Sequence, residues 1–168
     1  MKYKSANDFL NKLNLVYHAI LAGPLLAFVF LYLEIQAQRM VPVLSDEGEI
    51  QTINILSFLL WIVLLGAGFL LFNRNLGKAR MALGLSSKLE ALFKYSMIKY
   101  VLLEGASIIA VFGLYLTHDV LFIVMYVVVL IGMSFTRPTP RNVVKDLSLE
   151  GEEKEILMHK KDIPEETT

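Results

Sequence analysis

Charged residues fall almost wholly between four apolar runs, Leu15–Ile35, Ile53–Phe72, Met97–Leu116 and Val120–Phe135. Each run approaches the roughly 20 residues that carry a helix across a hydrocarbon core ~30 Å thick. The fourth is the shortest, bounded by Asp119 and Arg137. A soluble helical bundle would repeat polar residues at helical period inside each run, and these runs do not. The pattern predicts an all-α polytopic membrane protein. A four-transmembrane-helix bundle occupies residues 1–136, with helices at about 6–36, 45–72, 88–116 and 120–136. A cytoplasmic tail, 137–168, follows.

Local signals refine these limits. Ser5-Ala6-Asn7-Asp8 has capping-box spacing and starts the first helix near Ala6. Pro24 removes one backbone hydrogen bond inside it, which a packed bundle tolerates. Ser45 suits an N-cap for the second helix, with Asp46, Glu47 and Glu49 in its first turn. Ser87-Lys88-Leu89-Glu90 reads as a capping box opening the third helix at Lys88, ~44 Å long at 1.5 Å per residue. Asn73–Ser86, with Gly77 and Gly84, then reads as a basic connector. Thr117-His118-Asp119 leaves room only for a tight turn, making helices three and four antiparallel neighbours. Beyond Arg137-Pro138, Thr139 as N-cap and Pro140 as first residue predict a short amphipathic helix over 140–149. Val143, Val144 and Leu147 share one side of it. The rest of the tail is expected to be mobile.

Net charge is zero and 55% of residues are hydrophobic. The distribution of charge carries more information than its sum. Lys2, Lys4 and Lys12 precede the first run, and Arg74, Lys78, Arg80, Lys88 and Lys94 separate the second from the third. Six further Lys and Arg residues, beginning with Arg137, follow the fourth. The connection Gln36–Thr52 has only Arg39 against three acids, and the last turn has no Lys or Arg. The positive-inside rule therefore puts both termini and the middle loop in the cytoplasm, as in a multi-pass protein of a bacterial inner membrane. Leu15–Leu33 exceeds the usual apolar stretch of a signal peptide, so no cleaved leader is expected. Cysteine is absent, which removes disulfide and thiolate chemistry. No phosphate loop, HExxH motif or nucleophile elbow occurs, so a familiar active site is not expected. His18 and His118 fall on opposite membrane sides, poorly placed to share a haem. Neither cofactor, metal nor nucleic acid is expected; the partners are the bilayer and a second copy or other membrane subunits.

One residue breaks the apolar pattern. Glu104 stands in a segment that continues uncharged to Thr117, and an intramembrane carboxylate is costly enough to mark a functional site. Tyr100 and Ser107, at i−4 and i+3, share its helical face, while Lys99 at i−5 can snorkel towards the headgroups. A gap-free internal match sets Leu21–Phe30 on Leu103–Phe112, with Leu, Gly, Val and Phe recurring. It makes His18 the counterpart of Tyr100 and places it about one turn from Glu104. Two uses follow: a polar clasp that locks helices or subunits together, or a proton- or cation-exchanging site built from Glu104, His18 and Tyr100.

The Glu104 segment resembles the carboxylate helix of rotary ATP synthase c subunits, the proteolipid family. An aromatic lead, Leu92-Phe93-Lys94-Tyr95, precedes the carboxylate, and Val111-Phe112-Gly113-Leu114 follows it. The resemblance implies a proton- or sodium-binding role for Glu104 at a subunit interface. The chain departs from the family at the cytoplasmic loop, where Arg74-Asn75-Leu76 opens a much longer connector. The whole chain also looks like the small four-helix inner-membrane proteins of bacteria, which implies architecture alone.

Overall fold

A computed structural model describes residues 3–164. Lys2 of the first basic cluster and the tail residues 165–168 lie outside them. Six helices run in order: α1 Ala6–Gln36, α2 Glu47–Arg80, α3 Leu85–Thr117, α4 Val120–Phe135, α5 Pro140–Leu147 and α6 Gly151–Met158. Among the described residues the fold is otherwise broken only by an isolated antiparallel bridge between Ser5 and Asp162.

Helices α1, α2 and α3 are each long and apolar enough to cross a membrane, and α4 with α5 adds a fourth crossing if the two form one broken span. This is a helical membrane protein. By itself α4 has 16 residues, ~24 Å at 1.5 Å per residue, short of a full core thickness. Only 17% of the most apolar window is buried within the chain in α1 and α2, against 44% in α3. The faces left open on α1 and α2 are apolar, which suits lipid contact.

Several boundaries differ from the sequence expectation, each for a local reason. The first helix starts as expected, with Ser5 Oγ accepting from the Asp8 N–H at 3.1 Å. In the second, Asp46 rather than Ser45 is the cap: its Oδ2 accepts from the Glu49 N–H at 3.0 Å. The connector expected at Asn73–Ser86 is mostly helix, because α2 runs on to Arg80 and leaves a tight link around Gly84. Gly84 has φ of 77°, the left-handed region that lets the chain reverse. The Lys88 N–H already bonds the Gly84 carbonyl, so Ser87 sits inside α3 and the capping box there does not form. Thr139 does cap α5, accepting from the Asn142 N–H at 3.2 Å, with Pro140 in the first turn. A left-handed Ser148 then ends α5 at Leu147.

After the predicted helix at 140–149 the tail departs most from expectation: up to Pro164 it is folded rather than mobile. Ile156 and Leu157 of α6 are buried, and the Ile163 N–H donates to the Lys4 carbonyl at 3.1 Å. The Ala6 N–H returns a bond to the Lys161 carbonyl at 3.0 Å, so the two ends of the described chain pair as a short ribbon.

Contacts divide the chain into two compact units. The terminal unit joins Met1–His18, Phe69–Lys99 and Thr136–Thr168; the apolar unit joins Ala19–Gly68 and Tyr100–Phe135. The core of the terminal unit includes Phe9, Leu13, Leu89, Leu92, Leu147 and Leu157. That of the apolar unit includes Leu103, Ala110, Leu114, Phe122, Met125 and Tyr126.

Candidate functional site

In the apolar unit the α3–α4 turn fixes what faces what. Thr117 Oγ1 donates to the Gly113 carbonyl at 3.0 Å and accepts from the Asp119 N–H at 3.1 Å. Asp119 caps α4 through the Leu121 N–H at 2.8 Å, and its other oxygen accepts from Asn54 Nδ2 of α2 at 2.6 Å. His118 takes the left-handed position between them, with φ of 56°. The Leu44 N–H donates to the Leu116 carbonyl at 3.0 Å, tying the first connection to the same end. This end of the unit is therefore cross-linked by polar groups from three segments.

Deeper in the unit, close packing replaces hydrogen bonds. Gly113 lies against the ring of Phe122, and a Cβ at Gly105 would stand 3.3 Å from Leu64 of α2. Phe28 of α1 stacks on Tyr126 of α4 with centroids 4.0 Å apart. Glu104 is half-buried in this setting. Its carboxylate forms no hydrogen bond or ion pair among the described residues. Tyr126 lies within electrostatic reach of it, and the Tyr126 hydroxyl, fully buried, has no hydrogen-bond partner among the described residues.

The other residues expected at this site have their own engagements. Ser107 is buried and its Oγ donates to the Leu103 carbonyl at 3.2 Å, one turn back on α3. Tyr100 is buried, 1% exposed. His18 and Lys99 belong to the terminal unit. His18 is exposed, its Nδ1 lies 2.7 Å from the Asn14 carbonyl, and its ring meets the edge of Tyr17.

Lys99 is buried with 4% exposure, and its Nζ lies 3.7 Å from the centre of the Phe72 ring. A desolvated cation over an aromatic face is worth ~2 kcal/mol. Asp146 of α5 supplies the opposite charge nearby, and Arg80 Nε donates to the Asp146 backbone carbonyl at 2.7 Å. Lys88 adds a two-pronged pair with Glu153 of α6, at 2.7 and 2.9 Å. In the terminal unit, the cations of α2 and α3 thus hold the tail helices.

Burial pushes the Asp146 carboxyl above its ordinary range, against the lowering pull of Lys99, Arg80 and Lys145. A carboxyl raised in the folded state contributes stability that is complete below its ordinary value of 3.8. That contribution is lost as pH rises through the raised value. Asp146→Asn should therefore flatten the pH dependence of unfolding across the acidic range. Denaturant midpoints of wild type and variant against pH check this, and parallel profiles would contradict it.

No protein-family model, curated protein or solved structure matches the chain. What the protein does must be argued from these groups alone.

Two features escaped sequence reasoning. Tyr126 carries no sequence signal of its own inside an apolar helix, although only it and Ser134 have a hydroxyl in α4. The pairing of Lys99 with Phe72 and Asp146 had no signal, since the three are far apart in sequence.

Proposed function

We propose that this chain is a small, non-enzymatic integral membrane protein that serves as a subunit or accessory partner of a larger membrane assembly. It crosses a bacterial inner membrane four times with both termini in the cytoplasm, a topology supported by the placement of Lys and Arg. The observation that carries the reading is Glu104. An intramembrane carboxylate that is half-open and unpaired among the described residues is expensive in a low-dielectric setting. A hydrogen-bond donor or cation from a second chain relieves that expense and links subunit recognition to one residue.

Glu104→Ala should weaken association about tenfold, the effect of losing an intramembrane polar contact of ~1–2 kcal/mol. Glu104→Gln, which keeps hydrogen-bonding capacity, should keep most of it. Mass measurement of the assembly in native nanodiscs checks both. Unchanged mass for the alanine variant at limiting protein concentration would remove the assembly role.

A second reading rests on Tyr126. Its hydroxyl, unpartnered among the described residues and within electrostatic reach of Glu104, offers a second proton-bearing group, which favours a proton- or cation-handling module. Under this reading, wild-type vesicles show ion flux and Glu104→Gln abolishes it with the assembly intact. Under the first, wild-type vesicles show no flux.

A further inference from the structure

We propose that the exposed face of α5 is a docking surface for the phosphate headgroups of anionic phospholipids, formed by Arg137, Arg141 and Lys145. The three residues recur at i, i+4 and i+8, and all are exposed. Residues four apart share a helical face, so Arg141 and Lys145 project together, while Arg137 is exposed in the non-helical lead-in three residues before α5. None of the three forms an ion pair among the described residues.

The opposite side of α5 is already committed. Val143 and Leu147, each 2% exposed, are packed in the terminal unit, and Asn14 Nδ2 of α1 donates to the Pro138 carbonyl at 3.1 Å. Asp146 is half-buried, and its stronger charge neighbours are Lys99 and Arg80, with Lys145 the weakest of the three, so most of the basic face stays uncancelled. With Val143 and Leu147 packed inside the protein and Val144 alone half-exposed, α5 has no broad apolar face for insertion between acyl chains, as an amphipathic surface helix would need. What remains available is electrostatic.

Position in the chain selects the phosphate source. Arg137 is two residues beyond Phe135, the last residue of α4, and therefore at headgroup level wherever α4 ends in a bilayer. The positive-inside rule requires basic residues in this segment but does not require them on one exposed face of a docked helix. Each basic residue near such a surface attracts anionic lipid, and the attraction weakens with salt.

The test uses the full chain in nanodiscs of phosphatidylcholine with and without phosphatidylglycerol, with spin-labelled forms of each lipid as probes. Wild type should select phosphatidylglycerol several-fold over phosphatidylcholine, with selectivity falling as salt rises. The combined variant Arg137→Gln, Arg141→Gln, Lys145→Gln should lose that selectivity while keeping wild-type circular dichroism. A control with equal charge removal, Lys154→Gln, Lys160→Gln, Lys161→Gln, should keep it. Absence of selectivity in wild type, its persistence in the α5 variant, or equal loss in the control would each overturn the proposal.

Discussion

Gly113→Val is expected to disrupt the α3–α4 hairpin and to give one of the largest stability losses of any single substitution in the apolar unit. A Cβ at this position meets the ring of Phe122, which is fully buried and has little room to turn. Overpacking a filled core costs about 1–3 kcal/mol, and valine adds branched methyls directly at the clash. Disturbance at Gly113 also threatens the Thr117 bond to its carbonyl, and with it the polar end of the unit. The contrast lies in the same unit. At Gly23 and Gly66 an added Cβ meets nothing within 4 Å. Alanine at either should be tolerated, with a helix-propensity gain of roughly 0.5–1 kcal/mol. Unfolding midpoints in mixed micelles would separate the three; equal midpoints for Gly113→Val and Gly66→Ala would show that the hairpin is not packed as described.

Leu157→Ala should undock the tail. Leu157 is fully buried, and truncating a buried leucine costs about 2–5 kcal/mol. The polar contacts that hold the same segment are weaker. The half-buried Lys88–Glu153 pair is two-pronged, yet partly solvated pairs contribute only ~1 kcal/mol. Glu153→Gln should therefore shift the docking equilibrium far less than Leu157→Ala. Trypsin provides the readout through Lys154, which is exposed but held in helix α6. Cleavage after Lys154 should accelerate by more than an order of magnitude in Leu157→Ala and only a few-fold in Glu153→Gln. Similar rates in both would mean that charge, not apolar burial, holds the tail.

The apolar runs of the first three helices were legible because crossing a bilayer demands a length and composition that little else produces. The caps at Ser5 and Thr139 were legible because they depend on residues close in sequence. Ser87 misled because its capping-box spacing is real, yet Gly84 reverses the chain first and α3 starts at Leu85, three residues before the expected Lys88. Beyond Leu149 the fold of the tail could not be read locally. Helix α6 is short, and its buried Ile156 and Leu157 belong to a core that includes residues distant in sequence. For the candidate site, sequence marked Glu104 by contrast with its neighbours but assigned it the nearest polar groups along the helix. Ser107 instead satisfies its own backbone, and Lys99 faces Phe72. Long-range packing brought in Tyr126, a neighbour that no spacing rule along α3 predicts.

The assembly reading turns on whether another chain stands beside Glu104. Ile108, one turn further along α3 and 53% exposed, offers a probe position that leaves the carboxylate intact. A photo-crosslinking amino acid at Ile108, activated in native membranes, should yield a discrete protein adduct that fades when Glu104→Ala is introduced. Adducts with lipid alone, or a protein adduct indifferent to Glu104→Ala, would contradict it.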